Sequence, residues 1–225
     1  MRVAVHATEL ETATAAVRAG CDILVHSVFD KRVDDAFVGL VKERGVIYTT
    51  TIVVIEGYAE VLGRNVELTD IDRECGDPEV IASWSDLAKI PKDQLPPAAR
   101  QPRRFTNKIV ILANLKRMQD AGVIVAAGTD AGNIGTLHGP SLHCEFELMA
   151  EAGLTPMQII VDATRNAARV FSPKPEMGTI ESGKLADLVI LDADPLTDIR
   201  NLRKILTVIK AGHIFDHDSL LKVKP

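Results

Sequence analysis

The chain has 225 residues, 46% of them apolar and 25% charged, the balance of a soluble globular protein with one large domain or a domain plus a small appendage, which excludes a disordered chain. Its 26 Lys and Arg stand against 31 Asp and Glu, a net charge of -5 with no basic cluster, so no nucleic acid and no membrane is an expected partner, whereas a small-molecule substrate is. Three widely spaced cysteines, Cys21, Cys75 and Cys144, argue against a disulfide framework, read as small core residues and suit a reducing compartment.

The chain opens without a basic region and apolar core of signal type, and no apolar run approaches about 18 residues, so a cytoplasmic location is expected. Arg2 to His6 reads as a strand ending in a histidine, and Thr8-Glu9-Leu10-Glu11 as a capping box before an Ala-rich helix stopped at Gly20. Ile23-Leu24-Val25-His26 is a second strand ending in a histidine, followed by an amphipathic helix from Val33 to Arg44 that Gly45 stops. Val46 to Ile52, rich in β-branched residues, predicts a third strand.

Residues 56–104 break this rhythm. They are polar and carry Pro78, Pro91, Pro96, Pro97 and Pro102, with helical patterning only around Gly57 to Leu62 and Val80 to Ala88, as expected of an active-site lid or a disordered excursion. A helix from Lys108 to Asp120 resumes the pattern, Ala121-Gly122 ends it, and Val123 to Ala127 is the fourth strand. Ser141 to Ala152 predicts the next helix, and Thr155-Pro156 reads as N-cap and first residue of another reaching about Val170. After Pro173 and Pro175 come a turn over Gly178 to Lys184, a strand over Ala186 to Asp192, and a hairpin formed by Thr207 to Ile209 and Lys210 to Phe215. This β appendage is too short to bury much core alone.

In a parallel sheet with right-handed crossovers, strand C-termini converge on one face, so His6, His26 and Asp130 can meet although they lie far apart in sequence. Imidazole and carboxylate suit a zinc-type cation with an open position, and Asp130 beside it could move the proton of an attacking water. Each residue also has a plainer role: a strand-end histidine can simply be hydrogen bonded, and Asp130 between glycines can cap a turn. His138 suits substrate contact or loop capping equally. Thr49, Thr50 and Thr51 serve as strand residues or, with Thr50 the candidate, as substrate contacts. His143, His213 and His217 read as surface or structural, and Glu145 and Glu147 as a solvated helix face or as N-terminal helix charges.

The segments Val3 to Ala7, Gly20 to His26, Gly128-Thr129-Asp130-Ala131-Gly132, Leu137-His138-Gly139, Ala152 to Pro156, Ala163-Thr164-Arg165-Asn166-Ala167-Ala168 and Gly178 to Val189 resemble, in that order, the C-terminal half of the metal-dependent amidohydrolase superfamily. The nearest branch by these motifs is the imidazolonepropionase-like and Xaa-Pro or Xaa-Arg dipeptidase group. The resemblance implies an α/β fold, a (β/α)8 TIM barrel with a β-sandwich, hydrolysing C–N bonds with one or two divalent metals, zinc the first choice. By position, His6 matches the metal ligand ending strand five, His26 the ligand ending strand six, and Asp130 the strand-eight ligand that is also general base and acid. His138 matches a loop histidine near substrate.

Two departures stand out. The His-x-His pair of strand one and the carboxylated lysine of strand four do not precede His6, and where many relatives have Glu-His-Gly on strand six this chain has Val25-His26-Ser27. The expectation is therefore a truncated amidohydrolase: strands five to eight of a barrel over residues 1–172, with the insertion 56–104, and a sandwich portion over 173–225. Unpaired sheet edges favour association, so a homo-oligomer is expected. The alternative function is a catalytically silent metal-binding or scaffolding relative.

Overall fold

The computed structural model describes residues 1–87, 89–94 and 108–216. Pro96, Pro97, Pro102, His217 and the predicted helix end at Ala88 lie outside them. Its first sheet has four parallel strands in sequence order: β1 (Ala4–His6), β2 (Ile23–Val25), β3 (Ile47–Thr50) and β4 (Val125–Ala127). Parallel neighbours need a crossover rather than a hairpin. The first two are supplied by α1 (Leu10–Arg18) and α2 (Asp35–Arg44).

Register explains where the core sits. Val5, Leu24, Tyr48 and Val125 form one row across the strands, and this row faces the main core cluster with Val17, Phe37, Val41, Ile111, Leu115 and Met149. The alternate positions Ile23, Ile47 and Ala126 face a much smaller cluster backed by Val170, as the period of two in a strand requires. Tyr48 is fully buried and its hydroxyl accepts the Val28 N–H at 2.8 Å, so the largest side chain of the sheet also ties down the segment after β2. Burial pushes its pKa up to about 12, against the pull of its hydrogen bonds to Ser27 and the Val28 backbone.

Between β3 and β4 the chain forms α3 (Ile52–Gly63), α4 (Asp70–Cys75), α5 (Pro78–Leu87), a 3-10 turn (Lys92–Gln94) and α6 (Lys108–Asp120). This corrects two expectations. Strand three ends at Thr50, and Ile52 opens a helix: the β-branched run Ile52-Val53-Val54 is buried on α3, where tertiary packing overrides β propensity. The segment read as a polar excursion is helical through most of its described part, with Thr69 and Asp72 closing a capping box on α4.

After β4 come α7 (Pro140–Glu151), α8 (Pro156–Val161), a π-helical turn (Asp162–Asn166) and α9 (Ala167–Phe171). Thr155 and Pro156 are N-cap and first residue as expected, with Gln158 completing a capping box. The expected capping box at Thr8 to Glu11 is absent: Glu9 is the N-cap with no side-chain bond, and Asp30 accepts the Leu10 N–H at 2.9 Å instead. Cys21 is buried as expected but Cys75 is exposed. A three-stranded antiparallel sheet follows, β5 (Leu188–Leu191), β6 (Ile205–Lys210) and β7 (His213–Asp216). Ala211 and Gly212 turn β6 into β7 with φ of 49° and 80°, the paired positive angles that match strand twist. No helix among the described residues is long and apolar enough to cross a membrane.

A candidate metal centre at the strand ends

β1 ends on His6, β2 is followed at once by His26, and β4 leads through Gly128-Thr129 to Asp130. Since the strands run parallel, all three residues reach the same edge of the sheet. His26 and Asp130 leave their strands with φ of 76° and 54°. Side chains other than glycine rarely occupy this left-handed region, and such strain persists where the surroundings enforce it, most often at functional sites.

The rings of His6 and His26 meet edge to face with centroids 4.6 Å apart and planes at 76°. His26 Nε2 lies 3.9 Å from Asp130 Oδ2, and His26 Nδ1 lies 2.6 Å from the Thr51 hydroxyl. Burial, then the neighbouring His6, pushes the His26 pKa down, and Asp130 opposes this only in part. His26 is therefore a neutral imidazole at neutral pH, the form that offers a lone pair to a cation.

The loop after Asp130 is knitted by its own backbone. The Asp130 carbonyl accepts from Asn133 Nδ2 at 3.0 Å, and Gly132 N–H donates to the Thr136 carbonyl at 3.0 Å. Gly135 packs so close to α3 that a Cβ on Gly57 would stand 2.7 Å from its carbonyl oxygen, which fixes the loop against the helix that begins at the end of β3. His138 is exposed and lies over this turn, its Nε2 3.6 Å from where a Gly132 side chain would sit. Thr50 is not brought to the group: it is fully buried.

Sequence reasoning missed two residues. Thr51 stood in a run of three threonines with nothing to single it out. Glu145 reads from the sequence as a solvated-face or N-terminal helix charge, yet it is fully buried on α7. Its spacing to the buried Ser141 and Met149, four residues on each side, was the available signal. Glu145 Oε2 accepts the Val53 N–H at 2.8 Å. Its other oxygen closes no complete bond, although the Thr50 hydroxyl and the Ile52 N–H help hold its pKa down.

Burial outweighs these bonds and pushes the Glu145 pKa from 4.5 up to about 7. Burial likewise pushes Asp162, in the π-helical turn, up to about 7 against the pull of Asn166 and Arg165. Between pH 4.5 and 7 the folded chain keeps protons that the unfolded chain has lost, so stability falls as pH rises through that window. Glu145→Gln keeps an acceptor for Val53 without the buried charge. It is expected to remove roughly half of this slope and to be more stable than wild type at pH 8 by on the order of 2–3 kcal/mol. Urea unfolding at pH 5 and pH 8 measures both, and an unchanged slope would sink the assignment.

The donor set of His6, His26 and Asp130 fits a zinc-type ion in kind, two imidazoles and a carboxylate. Among the described residues no group of three or more His, Cys, Asp or Glu stands close enough to hold an ion as it is. The gap is small between His26 and Asp130. Donors held tetrahedrally at about 2.0–2.1 Å stand roughly 3.3 Å apart, about half an ångström nearer than His26 Nε2 and Asp130 Oδ2. That is within the reach of side-chain rotation.

Comparison with known proteins identifies a family. A family model described as the Amidohydrolase family matches residues 1–215. Ochratoxinase of Aspergillus niger is 28% identical over 206 residues, covering 89% of this chain and 35% of that protein. Imidazolonepropionase of Brevibacillus brevis is 36% identical over 106 residues, 45% of this chain and 25% of that protein. Among solved structures, a Xaa-Pro dipeptidase with bound methionine in its active site superposes with a TM-score of 0.69 at 28% identity, covering 96% of this chain and 45% of that one. The chain thus spans about a third of the ochratoxinase and less than half of the dipeptidase chain.

Proposed function

Since the chain belongs to the Amidohydrolase family, we propose that it is the strand-five-to-eight half of a (β/α)8 barrel, over residues 1–172, with a β-sandwich portion over 173–225. In this reading it is part of a hydrolase that cleaves a C–N bond of amide, cyclic amide or dipeptide type. The observation that carries the reading is the approach of His6, His26 and Asp130 at one edge of the parallel sheet. The similarity to a Xaa-Pro dipeptidase supports the bond type.

His6, His26 and Asp130 would hold a divalent ion, zinc first among them. When bound, such an ion makes hydroxide available at neutral pH by lowering the pKa of water to about 7. Asp130 is half exposed, so its carboxylate can accept a proton from the attacking water and pass it to the leaving nitrogen. Neutral His26 holds its lone pair toward the same point. His138, exposed above the Asp130 turn, is placed to contact the substrate, whereas buried Thr50 supports the edge from behind.

The partners in this reading are a small-molecule substrate and a second copy of the chain. The exposure of Val3, just before β1, and of Ala4 on this edge strand supports association. Elemental analysis of purified protein after incubation with zinc, cobalt or manganese is expected to give about one tightly held ion per chain, with turnover of a dipeptide or cyclic amide panel. Light scattering is expected to give a dimer. Absence of both ion and turnover would replace the hydrolase by a silent scaffold, and a monodisperse monomer would remove the edge pairing.

A further inference from the structure

We propose that Thr51 is a positioning residue of this site: its hydroxyl accepts a hydrogen bond from His26 Nδ1–H and so turns the Nε2 lone pair toward Asp130. The inference rests on His26 being a metal ligand. A histidine that ligates through one nitrogen almost always gives its other N–H to an acceptor, which fixes tautomer and ring orientation. The residue before His26 is Val25, whose side chain offers no acceptor. The structure supplies the acceptor from Thr51, the residue that follows β3, at 2.6 Å.

What Thr51 does not do is equally informative. It is the N-cap residue of α3, and a threonine there normally turns its oxygen onto the N–H of the second or third helical residue. Here it makes no side-chain cap bond. The Val53 N–H, the second of the helix, is taken by Glu145 Oε2 from α7. A carboxylate on another helix performs the capping, and the Thr51 hydroxyl is left for His26. The backbone carrying it is held on both sides, by the Glu145 bond to α3 and by β3, whose Thr50 pairs with Ala127 of β4. From the other side, His6 packs edge to face on the His26 ring and limits its rotation.

Two variants separate positioning from packing. Thr51→Val keeps the shape and loses the acceptor, and Thr51→Ser keeps the acceptor. In metal-free protein, long-range 15N–1H correlations of the His26 ring are expected to show the Nδ1–H tautomer in wild type and Thr51→Ser but not in Thr51→Val. In competition titrations with a chromophoric chelator, Thr51→Val is expected to bind cobalt or zinc about 10- to 100-fold more weakly than wild type. Thr51→Ser is expected to stay within about threefold. If Thr51→Val keeps both tautomer and affinity, or if Thr51→Ser is as impaired as Thr51→Val, the positioning role is overturned. A wild type that binds neither ion overturns the metal reading instead, and the tautomer comparison then decides the role of Thr51 by itself.

Discussion

Asp130→Asn is expected to lower turnover by on the order of 10³-fold while leaving the fold intact, the largest effect on activity of any single substitution in the site. Asparagine is the residue best suited to replace an aspartate at φ of 54°, because it tolerates the left-handed region almost alone among the larger side chains. The side chain is 42% exposed, so the change orphans no buried charge. Asn133 bonds to the carbonyl of Asp130 rather than to its carboxylate, and the loop keeps those bonds. What the amide cannot do is accept a proton from water, and a positioned general base contributes roughly 10²–10⁴-fold. An amide is also a poorer ligand than a carboxylate for a zinc-type ion, so metal content must be measured on the same sample. Full metal loading with turnover within about tenfold of wild type would show that the proton is taken elsewhere.

Much of the frame that delivers Asp130 is legible in the sequence because it depends on local chemistry. Gly45 is read as a helix stop from its type alone, and it occupies the left-handed region at φ 63° after α2. Thr155-Pro156 is read as a helix start for the same reason, and the capping box with Gln158 forms. Strands end at His6 and just before His26 because apolar runs end there. The misreadings share a different cause. Thr51 and Ile52 read as the end of a strand until α3 is seen to begin there, with Glu145 of α7 accepting its Val53 N–H. The bond between His26 and Thr51 joins residues 25 positions apart, and no local pattern distinguishes Thr51 from Thr49 or Thr50. A buried acid on an otherwise ordinary helix is visible only once its neighbours are.

That same dependence on distant partners produces the largest expected effect on stability, at Asn114. Its side chain is fully buried on α6 among Ile111, Leu115 and Met118. Oδ1 accepts the Val33 N–H at 3.0 Å, and Nδ2 donates to the Val28 and Lys31 carbonyls, each at 2.9 Å. One amide thus satisfies three backbone groups of the segment between β2 and α2. Val28 is held twice, its N–H by the Tyr48 hydroxyl and its carbonyl by Asn114. Leaving a buried polar group without a partner costs about 1–3 kcal/mol, and part of that is recovered where water or relaxation reaches the groups. Asn114→Ala is therefore expected to lose about 3–5 kcal/mol in urea unfolding. Asn114→Leu distinguishes lost bonds from lost volume: it fills the space but restores none of the three partners, so it should be no more stable than the alanine variant. If leucine recovers most of the loss, the site is held by packing and the amide bonds contribute little. Because Val28 stands two residues after His26, loosening this segment should also weaken metal binding without touching any ligand. Affinity and stability are then expected to fall together in Asn114→Ala, whereas in Thr51→Val affinity should fall far more than stability.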